Sequence, residues 1–284
     1  MRRGRSVTIV GPGRLGQALA RLLAQAGVAI DRIAARRLAR ARKAVRFIGA
    51  GTPAGLNDPA LNRANVILLT TADAAIEPVA RALAARSADW RGKVVLHTCG
   101  SLPSSVLKPL ARRGAAIGSI HPFQTIPNPA TGVRNLPGCY WAVEGDPRAR
   151  AVGARIVRRL EGKPFPIRPG RKVLYHASAF LVCPTLLALL DQSERLLDLV
   201  GVPSRIARPM LAGFVSETVE NFAKLGARRA LTGPAVRGDW PTIEKHLREL
   251  RRHAPKALPL YRELLRAIVR LAGRRLPRHL ERLR

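Results

Sequence analysis

The sequence predicts an α/β architecture: a doubly wound sheet followed by an all-helical second domain. Three observations carry that prediction. A short β-branched run, Val7 to Val10, passes straight into GPGRLG and then into QALARLLAQAG, where apolar residues recur at helical spacing and Gly27 closes the helix. Apolar runs and helical segments then alternate as far as Arg168, which implies strands covered by helices on both faces. From Gly170 the pattern changes, and helical periodicity dominates the remainder.

The elements follow in order. A second strand fits Val28 to Ala35, with Asp31 and Arg32 as its polar interruption, and ARRLARARKAV reads as a basic connecting helix. The unbroken apolar run ANVILLTT, residues 64–71, is a buried parallel strand, and AAIEPVARALAAR after Asp73 is a helix. KVVLHTCG is the next strand, SLPSSVLKPLARRG the next helix and AAIGSIHP a further strand. CYWAVEG and PFPI are two short strands around the helix PRARAVGARIVRRLEG. Beyond them, residues 172–201 read as helix apart from Pro184, and 204–225 as a second helix. A Gly-Pro turn, the helix PTIEKHLRELRRH and a last helix over 258–272 complete the chain. In that last helix Arg262, Arg266, Arg270 and Arg274 mark a solvated face, with Leu265, Ile268 and Leu271 packed between them. The expected domains are 1–168 and 169–284.

Composition excludes several classes. At 284 residues and 47% hydrophobic content the chain can bury two moderate cores. Its longest apolar run, Ala177 to Leu190, contains Pro184 and falls short of the roughly 18 to 20 residues a bilayer span needs. The basic N-terminus has only four apolar residues before Gly11, too few for a signal peptide. The expectation is a cytoplasmic protein without membrane insertion. Cys99, Cys139 and Cys183 are too few and too scattered for a disulfide framework or a zinc site, and no His/Cys/Asp spacing suggests a metal. The net charge of +32 raises a nucleic-acid reading. However, the basic residues are spread along the chain, only eight of the fifty are Lys, and no nucleic-acid-binding motif accompanies them, so no specific nucleic-acid partner is expected.

Chemistry enters with the glycines. Gly11, Gly13 and Gly16 stand in GxGxxG register between a predicted strand and a helix, the context that makes this a dinucleotide site of Rossmann type. The first glycine permits the tight turn, the second lets backbone approach a pyrophosphate, and the third lets helix and strand pack closely. Arg14 and Leu15 sit between them at the helix N-terminus, which faces the phosphates. The second strand ends in Ala34, Ala35, Arg36 and Arg37 with no carboxylate, which favours NADP over NAD, although Arg36 and Arg37 also read as a continuation of an Arg-rich face. Thr70, Thr71 and Asp73 after one strand, and Ser101 after the next, would line the nicotinamide half.

Several motifs together carry a resemblance: the GxGxxG start, HTCGS (97–101), GSIHPFQT (118–125), KVLYHASA (172–179) and the LTGPAVRGD...H block from Leu231. The chain resembles the Rossmann-like proteins that carry a C-terminal domain of unknown function, within the 6-phosphogluconate dehydrogenase-like superfamily. Pyrroline-5-carboxylate reductase, β-hydroxyacid dehydrogenases and F420-dependent NADP oxidoreductases are relatives in that superfamily. The resemblance implies hydride transfer with a small-molecule substrate, and a helical second domain that completes the active site and forms a homodimer. A proton donor or acceptor is then needed near neutrality, and histidine titrates there. His121 follows the GSI strand end. Lys172 and His176 lie four residues apart on one helix face; the superfamily places a catalytic Lys on the corresponding helix with Asn four residues on, where this chain has His. His176, Lys172 and His121 are the catalytic candidates. His97 is as readily a structural residue, and His253 and His279 read as surface residues.

The stretch Thr232 to Asp239 has two readings. Gly233 and Pro234 break a helix, Gly238 permits an unusual backbone angle, and Asp239 or Thr242 caps the next helix, whose first turn suits Pro241. Alternatively Arg237 binds an anionic substrate group and His246 faces the crevice. The expectation is an NADP(H)-dependent oxidoreductase acting on a small, anionic carbonyl, hydroxy or imine compound, against the alternative of a catalytically silent NADP-binding regulatory or interaction protein.

Overall fold

The computed structural model describes residues 6–86 and 89–281. One sheet contains β1 (Ser6–Val10), β2 (Ala29–Ala35), β3 (Thr52–Gly55), β4 (Val66–Leu69), β5 (Val94–His97), β6 (Ala116–Pro122), β7 (Tyr140–Gly145) and β8 (Lys163–Pro166), in the order β3-β2-β1-β4-β5-β6-β7-β8. All neighbours pair in parallel except β6 with β7. The chain leaves β1 towards β2 and β3, then returns to the other side of β1 with β4. That reversal opens a crevice beyond the carboxyl ends of the strands.

Helices α1 (Arg14–Gln25), α2 (Leu38–Ile48), α3 (Asp73–Arg86), α4 (Lys108–Ala111), α5 (Pro129–Asn135) and α6 (Pro147–Arg159) accompany the sheet. Strand residues alternate between two apolar clusters. Val66 and Leu68 pack with Leu19, Leu23 and Ile156, whereas Ile67 and Leu69 pack with Ile76 and Leu83. Both faces are covered, which is why the apolar run of β4 is unbroken.

One local expectation needed revision, and two elements were not foreseen. The segment from Ser101 to Gly114 is no continuous helix: a 3-10 turn over Ser104–Leu107 leads into the four residues of α4. Pro103 and Pro109 remove amide donors that a longer helix would need there. The short edge strand β3 carries Pro53 and lacks an apolar run, so only its pairing with β2 reveals it. Helix α5 is set by Asn128, whose Oδ1 accepts the Thr131 N–H at 2.8 Å.

The remaining helices are α7 (Lys172–Leu199), α8 (Ser204–Leu225), α9 (Ala227–Ala230), α10 (Pro234–Arg237), α11 (Trp240–His253), α12 (Leu258–Leu271) and α13 (Arg278–Glu281). The chain divides into two compact units at Cys183/Pro184, within α7, whereas the sequence suggested 168/169. The first three turns of α7 thus belong with the sheet. In the second unit Ile243, Leu247, Leu258, Leu265 and Val269 form the apolar core, and Leu271 is exposed rather than packed.

The expectation about membrane-spanning length is also corrected. Pro184 lies inside α7 without ending it, and by length and composition this 28-residue helix could cross a membrane, with a mean hydropathy of 1.9. The apolar stretch is unburied: Phe180, Leu181 and Leu187 are all exposed.

Candidate active site

The glycine turn is built as its sequence requires. Gly11 takes φ +87°, and a Cβ there would lie 2.4 Å from Thr71 Cγ2. Gly16 fits α1 against the end of β4, since an added Cβ would come within 2.3 Å of Thr70 Oγ1. That hydroxyl is itself fixed, donating to the Gly11 carbonyl at 2.6 Å. Gly13 is open, with nothing nearer than 3.8 Å, which leaves backbone free to meet a ligand. It is also the N-cap of α1 and offers no side-chain cap, so the first-turn amides of Arg14, Leu15 and Gly16 point their partial positive charge at the opening.

A cavity of 860 Å³ lies beside this turn, lined by Gly11, Gly13, Thr70 and Thr71 at one end and by Arg36, Arg37 and Arg40 at another. Arg36 and Arg37 are exposed where an acidic residue would select a ribose hydroxyl. Arg40 was not singled out from sequence, although it lies one turn beyond Arg37, the N-cap of α2. These residues fit a dinucleotide: an uncapped helix N-terminus and an open glycine at one end, and three guanidinium groups at another. Asp73 and Ser101, expected from sequence to line the cofactor crevice, are not among the residues that line this cavity. Ser101 Oγ is 3.4 Å from Cys99 Sγ, and the Cys99 thiol is pushed up in pKa by burial and by hydrogen bonding to Asp73.

A second cluster forms at the ends of β5 and β6, where the first turns of α7 meet the sheet. Lys172 is 3% exposed, and its Nζ donates to Ser119 Oγ and lies 3.7 Å from Glu144 Oε1. Burial lowers the Lys172 pKa to about 8, against the opposing pull of Glu144. One turn along α7, the Tyr175 hydroxyl lies 2.9 Å from His121 Nδ1 and holds that ring in place. Burial first, then the charges of Lys172 and His176, push His121 down to about 4. Desolvation likewise keeps the Tyr175 phenol protonated, raising its pKa.

His121 and His176 meet with ring centroids 6.1 Å apart. Gly100 makes the space: a Cβ there would be 2.5 Å from His176 Cδ2 and 2.8 Å from His121 Nε2. The three catalytic candidates therefore come together, with Lys172 buried and His176 exposed. Ser119, Glu144, Tyr175 and Gly100 were not assigned a role from sequence. Glu144 and Ser119 are cross-strand partners, a relation visible only once β7 is known to run antiparallel to β6.

The second unit holds Arg237 and His246. Arg237 is exposed at the end of α10, and His246 Nδ1 lies 2.8 Å from the Tyr261 hydroxyl. Asp239 caps α11, accepting the Thr242 N–H at 3.2 Å and the Thr242 hydroxyl at 2.7 Å. His279 and His253 pair with Glu244 and Glu249. Among the described residues no group of three or more His, Cys, Asp or Glu could hold a metal.

His97 is fully buried at the end of β5, and its Nδ1 accepts the Cys99 N–H at 3.2 Å. Desolvation, and then Lys172, lower its pKa from 6.5 to about 3. The unfolded chain takes up this proton as pH falls through 6.5, while the folded chain refuses it until about 3, so stability is full above 6.5 and is lost below it. At pH 5 the loss from this ring is about 2 kcal/mol. Urea unfolding at pH 7 and pH 5 checks this: His97→Asn keeps an acceptor for Cys99 and should lose about 2 kcal/mol less than wild type between the two pH values. Equal losses would remove His97 from the account.

Comparison with known proteins agrees with this architecture. Residues 1–122 match a Rossmann-like domain and residues 139–268 match a domain of unknown function, DUF2520. No curated protein matches the chain. Protein TM1727 from Thermotoga maritima is 25% identical, with a TM-score of 0.75 over 94% of this chain and 98% of that one. BF3122 from Bacteroides fragilis, classed as an NADP oxidoreductase, is 23% identical with a TM-score of 0.72 over the same shares. An imine reductase from Aspergillus terreus, in complex with NADPH4, is 21% identical with a TM-score of 0.65 over 94% of each chain. The likeness to the last two is one of fold. With both domains in sequence and the expected motifs in each, the chain belongs to the Rossmann-like proteins that carry this C-terminal domain of unknown function.

Proposed function

We propose that the protein is an NADP(H)-dependent oxidoreductase that transfers hydride to or from a small anionic carbonyl, hydroxy or imine compound. The observation that carries this reading is the buried Lys172, set among His121, His97 and Asp73 at strand ends adjoining those that carry the glycine turn. When bound, the nicotinamide supplies or accepts the hydride. Gly11, Gly13 and the first turn of α1 hold the pyrophosphate, and Arg36, Arg37 and Arg40 hold the 2′-phosphate. Lys172 gives its proton to the substrate atom that gains negative character during reduction. His121, neutral at pH 7, offers a hydrogen bond, and His176 stands exposed beside it. Arg237, in the second unit, offers an exposed guanidinium suited to an anionic group. The named activities of the imine reductase and of BF3122 support the class of chemistry.

We also propose a homodimer formed through the helical unit. Ile206, Met210, Phe214 and Phe222 recur at four- and eight-residue intervals along one side of α8, and all are more than 45% exposed. That stripe needs a cover, and a second copy supplies an identical one.

Three measurements test these readings. Replacing Arg36, Arg37 and Arg40 with Ala should weaken NADPH binding by at least about tenfold and leave NADH binding unchanged, read by nucleotide fluorescence. An equal effect on both cofactors would remove the 2′-phosphate assignment.

Assays of NADPH oxidation with cyclic imines and keto acids should show turnover that falls as pH rises through about 8, where Lys172 loses its proton. Lys172→Met should cost about 100-fold in kcat, and His176→Ala less. Tight NADPH binding with no turnover on any compound would favour the silent NADP-binding protein instead.

In sedimentation, the wild type should run at twice the chain mass of 30.8 kDa, and Phe214→Lys with Phe222→Lys should dissociate it. A wild-type monomer would end the dimer proposal, and recovery only in detergent would point to α7 as a membrane segment.

A further inference from the structure

Glu144 lies on β7, the strand that runs antiparallel to β6, and it faces Ser119 in register. Its carboxylate is fully engaged. Oε1 accepts the Ser104 N–H at 2.6 Å and the Ser119 hydroxyl at 3.0 Å, while Oε2 accepts the Ser104 hydroxyl at 3.0 Å. Oε1 also stands 3.7 Å from Lys172 Nζ. Ser119 links the two charges, because its oxygen accepts from Lys172 while its proton goes to Glu144. Glu144 is thus held from two other elements, the 3-10 turn at Ser104 and strand β6, before it meets the lysine.

We propose that Glu144 is a positioning residue: it fixes the Lys172 ammonium against Ser119 and supplies the counter-charge that keeps it protonated at neutral pH. This rests on the reading of Lys172 as the proton donor. Asp73, at the start of α3, favours the charged form as Glu144 does, whereas the Cys99 thiol beyond the end of β5 is itself pushed up in pKa by burial and carries no counter-charge at neutral pH. His97 and His121 stand at the ends of β5 and β6 and are themselves kept neutral in part by Lys172. Desolvation is the chief force on the other side. Among these groups Glu144 is the one in ion-pair range, so it decides how far desolvation prevails.

The test follows the Lys172 side chain directly, without depending on turnover. In protein labelled with ¹³C-lysine, the Lys172 Cε resonance, assigned by its loss in Lys172→Arg, is titrated between pH 6 and pH 10. Wild type should titrate near 8. Glu144→Gln should reduce the proton affinity of Lys172 at least about tenfold, and Glu144→Asp, which keeps the charge, should recover much of it. Ser104→Ala removes one hydrogen bond to the carboxylate and no charge, and should leave the midpoint near that of wild type. A Glu144→Gln midpoint unchanged from wild type would overturn the proposal, as would a Glu144→Asp midpoint as low as that of Glu144→Gln. If Glu144→Gln fails to fold, Glu144→Asp and Ser104→Ala still decide it: either must hold the midpoint within about tenfold of wild type. NADPH oxidation by the wild type is measured separately, so absence of turnover would reject the enzymatic reading while the titration judges Glu144.

Discussion

An ammonium group taken out of water must find its counter-charge and its hydrogen bonds locally, or it loses its proton. Lys172 meets that constraint with Ser119 and Glu144, two residues already locked to each other across β6 and β7. The helix geometry does the rest. With Lys172 pinned, residues three and four positions on must fall on the same side of α7, and there Tyr175 reaches His121 while His176 meets it over Gly100. The same anchoring explains why the compact unit built on the sheet extends into α7 as far as Cys183. A boundary drawn where strands give way to helices would separate the lysine from every group that holds it.

Charge is distributed unevenly around the crevice, and that asymmetry has chemical meaning. Although the chain carries +32 overall, the imidazoles nearest Lys172 are driven neutral, His97 to about 3 and His121 to about 4. Desolvation is the first cause for both, and the neighbouring ammonium adds to it. Of the buried basic groups here, Lys172 Nζ is therefore the one that keeps its charge near neutrality. At the other end of the strand-end crevice, the charges of Arg36, Arg37 and Arg40 are permanent and exposed. A group that can give up a proton near neutrality and groups that never do suit two different tasks, proton transfer and phosphate binding.

Much of this was legible in the sequence wherever the signal is local. The strand, glycine turn and helix at Val7 to Gln25 follow from β-branching, three glycines and helical periodicity; Gly11 and Gly16 proved sterically necessary, and Gly13 leaves the backbone open. Lys172 and His176 were placed on one helix face by their four-residue spacing, and the family motifs added His121 beside them. What stayed hidden depends on pairing at a distance. Edge strand β3 has no apolar pattern of its own, and Glu144 reads as one polar residue in a strand until its register opposite Ser119 is known. Arg40 was hidden differently, as one arginine among many on a basic helix. Pro184 misled because its position suggested an interruption, yet α7 runs through it.

The segment from Gly233 to Thr242 shows how a turn and a binding residue can share a few positions without sharing a cause. Gly233 at φ +100° and Gly238 at φ +76° fix the backbone, Asp239 caps α11, and the Arg274 Nε donates to the Val236 carbonyl. Every one of those interactions is made by a residue other than Arg237. Its guanidinium is exposed and makes no hydrogen bond among the described residues, so the turn keeps its shape whatever side chain stands there. His246 differs, because its Nδ1 is engaged with Tyr261 and only its Nε2 is left for another partner. On the proposed reading, Arg237 is then the residue of this segment whose guanidinium is left open to an anionic substrate, while Asp239, its carboxyl held low first by Thr242 and then by the Arg237 charge, is structural.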